Sequence, residues 1–296
     1  MADLSLIKKL REATGCGIAD CNKALAENKD DFEKSVDWLR KKGLASASKK
    51  TGRVTSEGVV AVFIDGNKAS VVEVNSETDF VARNQKFQDF VLKISKEAID
   101  YQDDIAKFQN DKDEEVKLQI GVIGENINIR RISSINISQG AIVSYIHNSI
   151  ASNMGKIAVI VGFESKASKD KIEEIGKQVA MHIAAAKPEA LCIQDVDPKK
   201  LARETDVLKE QARASGKPEN IIEKMMEGRI KKYYEEVVLL EQNFVMDDKL
   251  KIKDLISKFS KENGDTAIKS FKLFILGDGL EKKENNFAKE VAEMTA

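Results

Sequence analysis

Apolar residues in this chain follow one spacing at the start, another in the middle, and both in turn thereafter. Leu6, Ile7 and Leu10 share one side of a helix predicted over residues 3–13. Gly15-Cys16-Gly17 breaks it, and a second short helix presents Ile18, Cys21, Ala24 and Leu25. After a turn at Asn28-Lys29, Asp30 is placed to cap a third helix, with Glu33 completing a capping-box-like pair. Phe32, Val36 and Leu39 face inward there, Trp38 lies alongside, and Gly43 reads as the stop. From Gly58 the period becomes two. Val59 to Ile64 is a strand, Asp65-Gly66-Asn67 a hairpin turn, and Ala69 to Asn75 the returning strand. Phe87, Phe90, Val91 and Ile94 then mark a helix reaching about Ile99. Residues 100–112 are acidic and polar, as a surface loop or short helix would be. Residues 113–123 look helical up to Gly124, and Asn126 to Ile132 alternates like a strand with one buried face.

The second half repeats the first weakly. Gly140 to Ile146 resembles the strand opened by Gly58, a longer connection (147–155) replaces the tight turn, and Ile157 to Phe163 is apolar enough to be central. A helix from Lys169 to Ala186 uses Ile172, Ile175, Val179 and Ile183. Each half is a hairpin followed by a helix, which predicts two antiparallel sheets, each covered by a helix, in an α+β core. Pro188 ends that helix and Pro198 can open the next, which carries Leu201, Val207 and Leu208. Ser215-Gly216-Lys217-Pro218 turns the chain into a helix with Ile221, Ile222, Met225 and Met226. Narrow apolar seams on two charged helices fit an antiparallel hairpin arm that contacts a partner or another copy, and fit an ordinary solvated pair equally well. Residues 233–248 give no clear pattern. Leu250 to Phe259 reads as a helix, and Ser270 to Leu276 as a strand ended by Gly277-Asp278-Gly279. An amphipathic C-terminal helix carries Phe287, Val291 and Met294.

Composition narrows the function. The 296 residues suit about two domains, 42% are apolar and 33% charged, and the net charge is −1. A near-neutral chain lacks the uncompensated cations for a broad grip on nucleic acid. The local run Lys49-Lys50-Thr51-Gly52-Arg53 reads as a basic linker. The start Met1-Ala2-Asp3-Leu4 does not look like a signal peptide, and no apolar run approaches a membrane span, so a cytoplasmic location is expected. Cys16, Cys21 and Cys192 form no C-x-x-C pair and read as reduced thiols. His147 and His182 lack partners at metal-ligand spacing, so no metal or other cofactor is expected. Glycine-rich phosphate loops and nucleophile-elbow motifs are missing, which favours a binding or regulatory protein over an enzyme.

The stretch that invites a function is Asn75-Ser76-Glu77-Thr78-Asp79-Phe80-Val81-Ala82-Arg83-Asn84, between strand and helix. In one reading Asp79 helps to begin the helix and Phe80, seven residues before Phe87, joins the same buried stripe. In the other, acid and ring form a probe presented to a partner from a connection.

Five segments point to a family. Thr14-Gly15-Cys16-Gly17-Ile18-Ala19-Asp20-Cys21-Asn22-Lys23-Ala24-Leu25, Glu77 to Asn84, Gly124 to Arg131, His182-Ile183-Ala184-Ala185-Ala186-Lys187-Pro188 and Ser215 to Pro218 resemble, in order and spacing, the motifs of the bacterial elongation factor Ts family. The family often has Ala where Cys16 stands, Met near Ile18-Ala19 and a basic residue where Asn22 stands.

The resemblance implies a guanine-nucleotide exchange factor for elongation factor Tu. It also implies a ubiquitin-associated-like three-helix N-terminal domain with its linker (1–53), and a two-part core of antiparallel strands covered by helices (54–139, then 140–187 with 229–279). A protruding helical hairpin (188–228) and a C-terminal helix (280–296) complete the implied architecture. Thr78, Asp79, Phe80 and Val81 would enter near the partner's magnesium site, and Gly17, Ile18, Asp20 and Lys23 would dock the N-terminal domain. The second half of the core and the C-terminal helix would touch the partner as well.

Overall fold

The computed structural model describes residues 3–213 and 219–280. The expected turn at Ser215 to Pro218 and the expected helix around Phe287, Val291 and Met294 lie outside the described residues. The architecture is α+β: a helical N-terminal region, then antiparallel strands with helices packed on them.

Helices α1 (Leu4–Thr14), α2 (Ile18–Glu27) and α3 (Phe32–Ser48) turn Ile7, Leu10, Cys21, Ala24, Leu25 and Leu39 toward one another. Two details differ from the sequence expectation. Lys29 and Asp30 both take left-handed backbone, at φ 56° and 59°, which lengthens the turn by a residue. The cap is therefore Asp31, whose carboxylate accepts from the Lys34 amide at 3.1 Å. Nor does Gly43 end α3. It lies inside the helix against Gly121 of α6 (Ile105–Ile123), where a Cβ on Gly121 would fall 2.7 Å from the Gly43 Cα. Glycine here permits two helices to touch, and Ala47, just before the basic run, is buried in the main core.

That core begins with β1 (Glu57–Asp65) and β2 (Lys68–Ser76), joined through Gly66-Asn67, and β3 (Ile127–Asn136) pairs antiparallel with β2. Short α4 (Asp79–Ala82), then α5 (Gln85–Glu97) and α6, cover one face, burying Phe87, Phe90 and Phe108 on Val59, Ala61, Val72 and Val74. Most of the polar stretch 100–112 belongs to α6, because Phe108 anchors it.

In the second half β4 (Gly140–Ala151) and β5 (Met154–Ser165) form a long hairpin. The expected long connection is a tight turn at Ser152-Asn153, made possible by Asn153 at φ 59°. The internal repeat shows in one shared constraint. Gly58 and Gly140 open their strands at φ 124°, where a Cβ would fall 2.2 Å from the Val74 carbonyl oxygen and 2.1 Å from that of Phe163. Helices α7 (Lys169–Ala186) and α10 (Ile252–Asn263) cover this half, and β8 (Thr266–Ile275) pairs with β5. Between them, α8 (Pro198–Arg213) and α9 (Glu219–Val237) pack together, with Arg229 donating to Gln211 Oε1 at 3.2 Å. The unclear stretch 233–248 holds the end of α9, β6 (Asn243–Phe244) and the start of β7 (Asp247–Lys251).

The two expected sheets are one. Val60 pairs with Gly155 and Ala61 with Met154, giving the order β3-β2-β1-β5-β4 with β8 also on β5. Val60, Val62 and Val71 of the first half meet Ile142, Ala158 and Ile160 of the second in a shared apolar layer.

One charged group is buried beside that layer. Glu73 on β2 is fully buried. Its carboxylate accepts from Arg130 at 2.9 and 3.0 Å, from Arg131 Nε at 2.6 Å and from the Gly277 amide at 2.9 Å. Arg131 also donates to the Ile275 carbonyl at 2.9 Å and lies over the Phe274 ring. The end of β8 is thereby tied to β2 and β3. Glu73→Ala removes the shared anion and leaves two cations unpaired. It should lower the unfolding free energy by about 3–5 kcal/mol in urea titrations, and a loss below about 1 kcal/mol, the scale of an exposed pair, would show that the arginines do not depend on it.

Candidate functional site

The loop after β2 is held from both sides. Thr78 donates twice to Glu125, from its amide to Oε2 at 2.9 Å and from its hydroxyl to Oε1 at 2.6 Å. In return Glu77 accepts from the amide of Asn126 at 2.6 Å. The Ser76 hydroxyl donates to the Thr78 carbonyl at 3.0 Å, and Arg53 stands 3.4 Å from the Glu77 carboxylate. On the far side Asn84 caps α5 by accepting from Lys86 N–H at 2.9 Å, and Gln88 donates to the Ala82 carbonyl at 3.0 Å. Val81 and Ala82 are buried in the core.

What remains outside is Asp79 and Phe80. The Phe80 side is 80% exposed, whereas Phe87 is 0% exposed. The chain breaks between α4 and α5 at Arg83-Asn84, so Phe80 does not share the register of Phe87, Phe90, Val91 and Ile94. Of the four residues singled out in the loop, Asp79 and Phe80 face solvent, Thr78 braces them and Val81 anchors them. Leaving a phenylalanine in water forgoes about 1.5–3 kcal/mol of burial, in a loop whose flanks are otherwise tied down.

The N-terminal group lies at the start of α2. Gly17 is its N-cap, without a side-chain cap, and a Cβ there would meet nothing within 4 Å. Ile18 is 57% exposed. Asp20 is half-buried and binds Lys42 Nζ at 2.5 Å, while Lys23 is exposed, 3.9 Å from Glu27. The two groups sit on separate elements, but Lys86 at the start of α5 donates to the carbonyl of Gly15, and Lys50 to that of Gly124 at 2.7 Å.

The residues that sequence reasoning left without a role are Glu77 and Glu125. Both lie in the motifs quoted above, and the signal was their acidic character next to a strand end and a helix-stopping glycine. Pairing across 47 residues is not legible from spacing.

The remaining candidate groups serve structure. His182 is buried, with Nδ1 accepting from the Val245 amide at 3.3 Å and Nε2 2.9 Å from Gln242 Oε1, which fixes the Nε2–H tautomer. Burial holds its pKa below the ordinary imidazole value, opposed by the Gln242 hydrogen bond. The exposed His147 lies 3.1 Å from the Tyr145 hydroxyl. Cys192 Sγ donates to Asp195 at 3.0 Å, and that bond raises its pKa. Among the described residues no helix is long and apolar enough to cross a membrane, and no cluster of three or more His, Cys, Asp or Glu is arranged to hold a metal.

The family described as Elongation factor TS matches residues 77–278. Elongation factor Ts of Rhodospirillum centenum is 52% identical, with 99% of this chain and 99% of that protein covered. Elongation factor Ts of Rhodospirillum rubrum is 47% identical, covering 99% and 98%. That of Rickettsia felis is 48% identical, covering 98% and 96%.

Two outcomes are expected from this geometry. Glu125→Ala should speed hydrogen exchange at the Thr78 amide while Phe80→Ala leaves stability within about 0.5 kcal/mol, and an unchanged Thr78 rate would remove Glu125 as the brace. His182, with its folded pKa below the unfolded value, binds protons more readily when unfolded. Stability should therefore fall as pH drops below about 6.5, and the imidazole should stay neutral by NMR until lower pH. The His182 imidazole, assigned apart from the exposed His147, titrating at or above that value in the folded protein would contradict its burial.

Proposed function

The chain belongs to the elongation factor Ts family, and from that premise we propose that it binds elongation factor Tu carrying GDP and promotes release of the nucleotide. The single observation that carries the mechanism is Phe80, a phenylalanine 80% exposed on a loop braced on both flanks. In this reading Phe80 enters a pocket near the partner's magnesium site. Magnesium demands near-ideal octahedral oxygen geometry, so a small displacement of its surroundings weakens the hold on the nucleotide phosphates. Burial of the ring supplies about 1.5–3 kcal/mol toward that displacement. Asp79 orients the loop or competes electrostatically for partner groups, and Thr78 and Val81 set its position. No bond is made or broken. A factor that weakens nucleotide binding is itself weakened by nucleotide to the same degree, so GTP in excess expels it.

The N-terminal helices (1–53) form the ubiquitin-associated-like docking domain of this reading, with Gly17, Ile18, Asp20 and Lys23 against the partner. The core halves (54–139, then 140–187 with 229–279) carry the loop and a second contact. The arm (188–228) serves self-association, and the C-terminal segment (280–296) docks on the partner too. The exposed Ile18 supports the first assignment, and the mutual packing of α8 and α9 supports the hairpin. The protein works in the cytoplasm without direct contact with nucleic acid or membrane.

The test is release of labelled GDP from elongation factor Tu. The native chain should accelerate release, Phe80→Ala should reduce that acceleration roughly ten- to a hundredfold, and Asp79→Ala should reduce it less. Native-like rates in both variants would remove the loop from the mechanism, and no acceleration by the native chain would remove the function.

A further inference from the structure

The start of α2 holds an arrangement that exchange does not use. Gly17 is the N-cap, so Cys16 precedes it at the position before the cap, and Cys21 is the fourth residue of the helix. Side chains at these two positions meet across the first turn of a helix, the contact known as a hydrophobic staple. Both cysteines belong to the same small apolar cluster, and Cys21 Sγ donates to the Cys16 carbonyl at 3.8 Å. Their exposure differs: Cys16 is half-buried and within reach of a small oxidant, whereas Cys21 is 0% exposed.

We propose that Cys16 and Cys21 form a reversible disulfide on exposure to a peroxide, and that the bond alters the exposed start of α2. The Cys16 thiolate attacks one peroxide oxygen, the O–O bond breaks, and the sulfenic acid forms with loss of water. Cys21 Sγ then attacks Cys16 Sγ, the S–O bond breaks, and a second water leaves. The two thiols lose two electrons in all, and one peroxide is reduced to two waters. Burial raises the Cys21 pKa above the ordinary thiol value, so this sulfur is not the one the peroxide oxidises first; in the second step its proton passes to the hydroxide leaving Cys16 as the S–S bond forms. Cys192 lies beyond α7, held by Asp195, and takes no part.

Joining the sulfurs brings them to about 2.05 Å, with Cα atoms about 4.4–6.8 Å and Cβ atoms about 3.5–4.5 Å apart, so the two thiols must close in from van der Waals contact. The adjustment falls on Gly17, which has nothing within 4 Å of its missing Cβ and no side chain to fix it. Ile18, 57% exposed, moves with it. The consequence for partner binding rests on the docking role proposed above for Gly17 and Ile18.

The experiment treats the full chain with a few equivalents of hydrogen peroxide, maps its thiols by mass spectrometry, and measures GDP release before and after dithiothreitol. The expected product is two hydrogens lighter, cross-linked between Cys16 and Cys21, formed equally in Cys192→Ala, missing in Cys16→Ala, and reversed by dithiothreitol. Its stimulation of GDP release at limiting concentration should be roughly tenfold weaker, as loss of one well-placed apolar contact gives. Sulfinic acid on Cys16, or oxidation confined to Cys192, would overturn the disulfide. A clean disulfide with undiminished release, in a chain whose Phe80→Ala variant is impaired, would overturn its effect on docking. A reduced chain that never accelerates release defeats the exchange reading alone, since the thiol map is read independently.

Discussion

The shape of this molecule depends on a very short seam. Two residue pairs, Val60 with Gly155 and Ala61 with Met154, join strands that otherwise belong to different hairpins. A seam of this length cannot hold two halves by hydrogen bonds alone, because each exchanged bond is worth only about 0.5–1.5 kcal/mol net. The layer behind it holds them: Val60, Val62 and Val71 against Ile142, Ala158 and Ile160, all buried. Each half thus has two covered faces, helices on one side and the other half on the other. This explains why β2 is buried along nearly its whole length and why a charge there needs arginines.

A fully covered sheet has consequences for the loop that leaves it. Because β2 is fixed on both faces and along both edges, the chain emerges at Ser76 in one direction. Glu77 and Glu125 then exchange hydrogen bonds with the backbone of the opposite segment, each satisfying a helix-end or loop amide that would otherwise be unpaired. Val81 and Ala82 close the other end. The exposed ring is therefore carried by a stiff support, and the entropy of ordering the loop is met when the protein folds, before any partner arrives.

Much of this was legible in the sequence, because the apolar pattern of an element records how many of its faces are covered. Helix α7, with Ile172, Ile175, Val179 and Ile183 on one side, keeps the helical period, and β1, β2 and central β5, covered on both faces, read as near-continuous apolar runs. The misreadings share a cause. Gly43 carries a stop signal in isolation, yet its job is set by Gly121, 78 positions on. Ser152-Asn153 looked like part of a longer connection because an asparagine at φ 59° does not announce itself. The single sheet was missed because pairing between β1 and β5 is a tertiary event of two residue pairs. In the loop, helical spacing put Phe80 on the buried stripe; only the family motif set against it pointed outward, since spacing cannot reveal the break at Arg83-Asn84.

The two groups that the exchange reading uses, Ile18 on α2 and Phe80 on α4, are carried by elements with separate apolar clusters. Had a flexible linker joined them, engaging the first would concentrate the second only to the level that linker allowed. The structure has no such linker there. Helix α3 continues past Gly43 into contact with α6, Ala47 is buried in the main core, Lys86 holds the carbonyl of Gly15, and Arg40 meets Glu114. Glycine against glycine brings the helices to backbone distance, where dispersion is strongest and sliding is most restricted. The N-terminal helices and the loop therefore present their apolar tips from one frame. In the exchange reading proposed above, docking at α2 would reach Phe80 through packed helices, so that binding energy gained at one surface could be used at the other.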